Sequence, residues 1–350
     1  MRKRSRIALA LLLTAVLLCG CGSAAAFSAT ADPEAEQKST AYLESMDTMM
    51  ELTAYGSHRA EALQAAQAEI ERLNALFSIG LEDSDISRVN RAGHGLVSED
   101  TAALIRAALA LSEETGGAFD LTIYPLMELW GFVSKDYHVP TEEELASALA
   151  RVGSERVSVD KEGIVILGEG QAIDLGGIAK GYASQRLMEI FREYGVQSAL
   201  VSLGGNIQCL GVKPNGKNWR IGVKDPFNPD TGLAAVVEVA DEAVITSGGY
   251  ERYFVDPETG TTYRHIVDPE TGFPAESGLS SVSVVTKDGT LGDGLSTALY
   301  IMGLEKASEF WRAHSGEFEA ILIDNSGVVY VTAGLAGRVS SQQELHIIRK

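Results

Sequence analysis

The chain has 350 residues, 45% hydrophobic and 22% charged, which excludes a wholly disordered or fibrous protein and allows a sizeable core. Its 29 lysines and arginines face 48 aspartates and glutamates, a formal net charge of −19. A body this acidic repels a phosphate backbone, so no nucleic-acid partner is expected.

Arg2, Lys3, Arg4 and Arg6 precede an uncharged run from Ile7 to Leu18. A helix of that length rises roughly 18 Å, too short for a hydrocarbon core of about 30 Å, but it suits a secretory leader. The following Cys19-Gly20-Cys21 resembles a bacterial lipoprotein signal, with Leu18 three places before Cys21 and Gly20 directly before it. Residues 1–21 are therefore expected to be a signal peptide and Cys21 the lipid-bearing residue, with the mature protein extracytoplasmic and anchored to a bacterial cell membrane. The alternative is an ordinary secreted protein cut near Ala24 to Ala26. The only cysteine beyond the leader is Cys209, so the mature chain can form no intramolecular disulfide.

Residues 22–40 read as a flexible tether, 41–340 as the folded domain and 341–350 as a C-terminal tail. Within the domain, Tyr42 to Tyr55 is expected to be a first strand region and Glu61 to Phe77 a helix, with Leu63, Ile70, Leu73 and Phe77 on one face. Gly80 to Gly95 reads as a polar loop. A second helix runs from Thr101 to Thr115, with Ser98 as its cap. Phe119 to Phe132 is aromatic-rich and reads as an ordered loop or short helix, followed by a short helix from Thr141 to Val152. Val157–Val159 and Ile164–Leu167 flank a turn, and a helix is expected from Tyr182 to Tyr194. Strands follow near 198–202, 207–212, 219–223 and 234–239, then turns from Tyr250 to Pro274, a strand at 279–286, a helix from Gly294 to about Ala313 and a late hairpin. Consecutive strands without intervening helices argue for an α+β fold: a single composite domain with mixed and antiparallel sheets and flanking helices.

Three glycine-rich turns stand out: Asp174-Leu175-Gly176-Gly177-Ile178-Ala179-Lys180-Gly181, Leu203-Gly204-Gly205-Asn206 and Thr246-Ser247-Gly248-Gly249-Tyr250. Glycines let backbone N–H groups approach an anion, so the set suggests a phosphorylated ligand; singly, each is as readily a tight turn. None has the P-loop or dinucleotide-fold pattern. Asp293 and Thr297 fall on one face of a helix start. They form a hard oxygen pair suited to Mg²⁺, although a cap and an inward-packed threonine would look the same. His265 lies in Tyr263-Arg264-His265-Ile266-Val267-Asp268-Pro269, followed by Glu270-Thr271-Gly272-Phe273-Pro274, where Asp-Pro and Thr-Gly fix turns that give the histidine a rigid frame.

In order along the chain, these segments resemble the FAD:protein FMN transferases, also called the thiamine-biosynthesis lipoprotein family. The landmarks are Met46-Asp47-Thr48, Ser87-Arg88-Val89-Asn90, Phe119-Asp120-Leu121-Thr122, Leu129-Trp130-Gly131-Phe132, the three glycine turns, Trp219 to Pro226, His265 to Gly272 and Asp293-Gly294-Leu295-Ser296-Thr297-Ala298. Asp47 stands where the family usually has glycine. The resemblance implies Mg²⁺-dependent transfer of the FMN half of FAD to a threonine or serine hydroxyl, releasing AMP. Its implied partners are acceptor flavoprotein subunits of membrane electron-transport complexes. FAD hydrolysis to FMN and AMP, or flavin scavenging by a lipoprotein, is the alternative.

The resemblance implies that Gly177, Asp293 and Thr297 hold the metal. It also implies that Met46, Asp120, Tyr124, Asp174, Gly177, Lys180, Gly204, Gly205, Ser247, Gly248 and His265 bind flavin nucleotide. His265, Asp293 and Lys180 are then the catalytic candidates, and the Tyr124 to Phe132 loop would cover the isoalloxazine ring.

Overall fold

A computed structural model describes residues 36–350; the leader, Cys21 and most of the expected tether lie outside the described residues. Alternating apolar residues build a nine-stranded sheet whose neighbours follow chain order. Its strands are Lys38–Ser45, Thr48–Tyr55, Ala199–Leu203, Asn206–Leu210, Ala243–Gly248, Leu279–Thr286, Glu319–Asp324, Val329–Thr332 and Leu345–Ile348. All neighbouring pairs are antiparallel except the last, where Leu345–Ile348 runs parallel to Val329–Thr332.

The period-two pattern gives the sheet two buried faces. Val282, Val284, Ala320 and Leu322 join the core beneath the helices, while Val285, Ile321 and Ile323 join a second core against a three-stranded sheet. That smaller sheet comprises Trp219–Lys224, Leu233–Val239 and Val339–Ser340. On the helical side lie α1 (Arg59–Phe77), α2 (Asp85–Ala92), α3 (Glu99–Glu114), α4 (Tyr124–Leu129), α5 (Glu142–Leu149), α6 (Ala179–Glu193) and α7 (Gly289–Ala313). A third, small core gathers Leu126, Trp130, Phe132, Leu145, Ala148 and Val267 around α4 and α5.

The α+β class and the single domain agree with the sequence reading, although its core divides into three clusters, and several details differ. The expected first strand is a hairpin, broken where Met46 and Asp47 adopt left-handed backbone at φ 48° and 58°. Its outer strand begins at Lys38, inside the stretch assigned to the tether, so the 22–40 boundary lies too late. The expected tail at 341–350 supplies the final strand, with Ile348 buried. The polar loop contains α2, whose N-cap Ser84 accepts the Ser87 N–H at 2.9 Å. In α3, Ser98 is the N-cap as expected.

Helix α7 also begins earlier than its glycines suggest, at Gly289, with the Asp288 carboxylate accepting the Leu291 N–H at 3.1 Å. Asp293 is consequently not the cap. It sits in the second turn of α7, which leaves its carboxylate free of capping. At Gly303 (φ 76°, ψ 174°) α7 leaves helical geometry before continuing to Ala313.

Helices α6 and α7 touch at glycines. A Cβ added to Gly181 would lie 2.1 Å from the Gly289 carbonyl oxygen and 2.6 Å from Asp293 Cβ. Gly181→Ala should therefore force the helices apart and cost about 1–3 kcal/mol, in the manner of overpacking. Urea denaturation at constant m-value reads this directly; a wild-type midpoint would mean that the close approach is not needed.

Candidate functional site

The cleft opens where the N-terminal part of α6 and the front half of α7 meet the ends of the central strands. It has a volume of about 350 Å³. Met46, Asp120, Asp174, Gly177, Lys180, Gly204, Ser247, Gly248, His265, Asp293 and Thr297 all line it. Segments far apart in the chain, each singled out from sequence, thus converge on one wall or another. Tyr124 and Gly205 do not line it.

Local chemistry explains each placement. Gly204 and Gly205 form a two-residue hairpin turn with φ of 62° and 96°. A side chain on Gly204 would collide with Thr48, so this turn packs directly under the Met46–Thr48 turn. Asp174 reaches the cleft because its N–H bonds to Leu121 O at 2.8 Å and its Oδ1 accepts the Gly176 N–H at 2.7 Å. Asn90 clamps the preceding residue, with its side-chain amide donating to Ile173 O and accepting from Ile173 N, both at 2.8 Å.

Asp120 is differently employed. Its Oδ1 accepts from Thr122 N and Thr122 Oγ1 at 2.7 and 2.6 Å, and its Oδ2 accepts from Ser154 N at 3.0 Å. The carboxylate is spent on bracing its own loop.

The metal candidates are adjacent. Asp293 is 5% exposed, and its Oδ2 accepts the Gly181 N–H at 2.7 Å, one of the unpaired donors of the α6 N-terminus. Burial pushes its pKa up, opposed by Lys180, the Gly181 N–H and the Asn206 side chain. Thr297, one turn on, stands 3.2 Å from Ser247 Oγ, which also meets Ser296 Oγ at 2.8 Å. Among the described residues no three His, Cys, Asp or Glu side chains converge, so the protein supplies no complete cage. One buried carboxylate, one hydroxyl and the lining backbone of Gly177 instead suit a hard cation whose shell is completed by ligand oxygens or water.

The cleft also concentrates positive charge in an acidic protein. Lys180 Nζ donates only to Gly176 O, at 3.4 Å, and neither Lys180 nor Arg252 forms an ion pair within the described residues. Both cations pull the Asp174 pKa down, while burial, the largest influence, pushes it up. His265 lies beside Arg252, with its backbone N–H and its ring Nδ1 each 3.1 Å from the Arg252 carbonyl oxygen. A carbonyl can only accept, so Nδ1 carries the hydrogen and Nε2 the lone pair. Burial, reinforced by the Arg252 charge, lowers the ring's pKa to about 4.

Two readings change. Trp130 and Phe132 are buried in the small core, Trp130 donating through Nε1 to Gly272 O at 2.8 Å, so they cannot cover a flavin ring. Phe119, Ile123 and Met127 face the cleft instead. Arg252 and Asn206, which also line it, were missed, although both sit inside or beside the glycine-turn motifs.

Comparison with known proteins places this geometry. Residues 46–322 match the model of the ApbE family. The FAD:protein FMN transferase of Treponema pallidum (strain Nichols) is 32% identical over 314 residues, covering 83% of this chain and 86% of that protein. The same-named protein of Salmonella typhimurium is 31% identical over 307 residues, covering 81% and 83%. Among solved structures, the ApbE protein of Thermotoga maritima superposes with a TM-score of 0.80 at 32% identity, covering 88% of this chain and all (100%) of the other. The flavin transferase ApbE of Vibrio cholerae gives 0.77 at 27%, covering 86% and 99%.

The depressed His265 pKa has a measurable sign. The folded value, about 4, lies below the ordinary value of about 6.5, so between these pH values the unfolded chain binds the extra proton. His265 should therefore cost the fold stability as pH falls through that window. NMR titration of the ring should give a midpoint near 4, and His265→Gln should lose less stability than wild type between pH 7 and pH 4. A midpoint at 6.5 would mean that the ring is solvated.

Proposed function

Because the chain belongs to the ApbE family, we infer that it is an FAD:protein FMN transferase, which moves the FMN half of FAD to a protein hydroxyl. The acceptor oxygen attacks the FMN-side phosphorus, the bond to the AMP oxygen breaks, the hydroxyl proton is released and AMP departs. The observation that carries the reading is Asp293: a buried carboxylate on the cleft wall, held by a helix N–H and in no ion pair, in a cleft also lined by Lys180 and Arg252, neither of which is ion-paired.

Phosphoryl transfer through a loose transition state asks for positioning and charge neutralisation rather than a covalent protein intermediate. Asp293 and Thr297, with the Gly177 backbone, would hold Mg²⁺; bound there, the ion neutralises the diphosphate and polarises the bond that breaks. Lys180 and Arg252 draw the anionic substrate in and balance its charge. The glycines at 176, 177, 204 and 248 let backbone approach the diphosphate. Phe119, Ile123 and Met127 offer an apolar wall to the flavin.

His265 stays neutral near pH 7. Its Nε2 accepts a hydrogen bond from the acceptor hydroxyl and aligns the oxygen with phosphorus. A ring of such low basicity orients this proton rather than removing it before the bond forms.

The leader supports an extracytoplasmic site of action, with lipid on Cys21 and acceptors among subunits of membrane electron-transport complexes. Among the described residues no helix is long and apolar enough to cross a membrane.

Mass spectrometry of a threonine-bearing acceptor incubated with FAD and Mg²⁺ tests the reaction. An acceptor heavier by one FMN, with equimolar AMP, is the expected result; AMP without labelled acceptor would make the protein a hydrolase. Asp293→Ala should reduce transfer at least a hundredfold, and Thr297→Ala should be milder and partly restored by excess Mg²⁺, because a neutral hydroxyl contributes less to the ion. Full metal-dependent activity in Asp293→Ala would remove it as a ligand. Separately, Cys21→Ser should release the protein from membranes or block its processing while leaving transfer by the folded domain unchanged; a processed, membrane-bound variant would refute the anchor.

A further inference from the structure

Beside the cleft, strand pairing stops short and leaves a cavity. The short strands Tyr253–Val255 and Thr262–Arg264 form a two-stranded sheet of their own. The His265 N–H bonds to Arg252 O at 3.1 Å and the Asp256 N–H to Thr261 O at 2.9 Å, which fixes the alternation of that ladder. Thr261, Tyr263 and His265 therefore turn their backbone groups towards Tyr253–Val255, while Thr262, Arg264 and Ile266 turn theirs the other way. On that outer side the Ile266 carbonyl accepts the Ala275 N–H at 2.8 Å, beside the bridge between Val267 and Pro274. Past Ala275 the chain leaves to begin the strand at Leu279. The outward N–H and C=O groups of Arg264 and Thr262 are left with no hydrogen-bond partner among the described residues. In their place is a second cavity of about 450 Å³, bordered by Thr262, Tyr263 and Arg264 on one side and by Ala275, Glu276 and Ser277 on the other. Three consecutive strand residues line it, which one face of alternating side chains cannot do, so the strand presents its edge.

We propose that this edge is the docking site of the acceptor protein, which adds an extended segment beside Thr262–Arg264 and so delivers its hydroxyl to His265. The proposal rests on the transferase reading of the cleft and supplies the protein-binding surface that such a reaction needs. A row of unpaired backbone donors and acceptors is complemented by the backbone of another strand, and side-chain identity matters less. Two features select the acceptor as the occupant. The cavity adjoins the cleft, with Ile301 lining both. The strand also runs directly into His265, one residue beyond Arg264, a rise of about 3.3 Å. A segment held at Arg264 therefore ends at the mouth of the cleft, where the phosphorus is attacked. The edge is in place before a partner arrives. Arg264 packs on Gly249, where a Cβ would lie 2.1 Å from its Cδ, and the Tyr263 ring packs on Trp130 with centroids 5.1 Å apart. Little ordering is then needed on binding.

The test uses the threonine-bearing acceptor and a form of it with valine at the labelled threonine, which binds without reacting. Hydrogen exchange resolved to single amides is measured on wild type with FAD and Mg²⁺, with and without the valine form. The Thr262 and Arg264 amides should slow about tenfold or more at saturating acceptor, while the Val255 amide, on the opposite edge of the pair, should not change. Thr262→Pro removes one outward N–H and none of the bonds to Tyr253–Val255, a change that an edge strand tolerates. It should raise the acceptor KM about 3- to 10-fold, the loss of one hydrogen bond, with kcat and FAD affinity at wild-type values. Val255→Pro makes the same change on the opposite edge and should leave the acceptor KM unchanged. Acceptor that binds without slowing the two amides, a wild-type KM in Thr262→Pro, or an equal rise in both proline variants would overturn the docking site. The exchange result decides even where a proline variant folds poorly. Slowing that grows with the concentration of this protein alone would give the edge to a second copy of the chain and overturn the proposal. Wild-type protein that labels no acceptor would overturn the transferase reading, and the docking site with it.

Discussion

Everything at the site depends on how closely two helices approach. Gly181 and Gly289 remove the side chains that would separate α6 from α7, and the Gly181 N–H then bonds to Asp293. A carboxylate so buried is stable as an anion only if something compensates it. Here the compensation is the Lys180 charge, backbone N–H groups of a helix N-terminus and the Asn206 side chain, with no ion pair closed, and burial still pushes the pKa up. The helix pair holds a negative charge ready for a positive partner, and the sheet behind it fixes the direction in which that charge faces.

The same economy governs the rest of the cleft. A protein with a net charge of −19 would repel an anionic dinucleotide unless its positive charge were locally unspent. Surface arginines such as Arg72, Arg186 and Arg338 are tied to carboxylates, whereas Lys180 and Arg252 are not. Arg252 serves twice: its carbonyl fixes the His265 ring, and its charge reinforces the burial that keeps that ring neutral. Tautomer and orientation at His265 thus come from one neighbouring residue.

The chemistry was more legible in the sequence than the architecture that delivers it. Glycine turns, Asp293 with Thr297, and His265 in its rigid frame stood out in the sequence, but alone they read as readily as turns or a cap, and it was the family resemblance that joined them into a site. What the sequence hid was which polar residues serve the chain itself. Asn90 and Asp120 stand in motifs as prominent as any, yet the first clamps Ile173 and the second braces Thr122 and Ser154. Their partners are distant in sequence or belong to the backbone, which no pattern of spacing reveals. Trp130 misled for a related reason, since an aromatic beside glycine can line a cleft or fill a core. The strand Ala243–Gly248 was obscured because its second half is also a site turn, and Leu345–Ile348 because a short apolar run near a terminus looks the same whether paired or free.

The interruption of α7 at Gly303 divides the helix into two parts with separate duties. The front part carries Asp293 and Thr297; the rear part fills the core with Ala307 and Trp311. A continuous helix would transmit any shift of its packed end along a stiff rod to the metal ligands. With one non-helical residue between them, the rear part can be re-seated by substitution without re-aiming the carboxylate. The break therefore insulates the chemistry from repacking of the core behind Gly303.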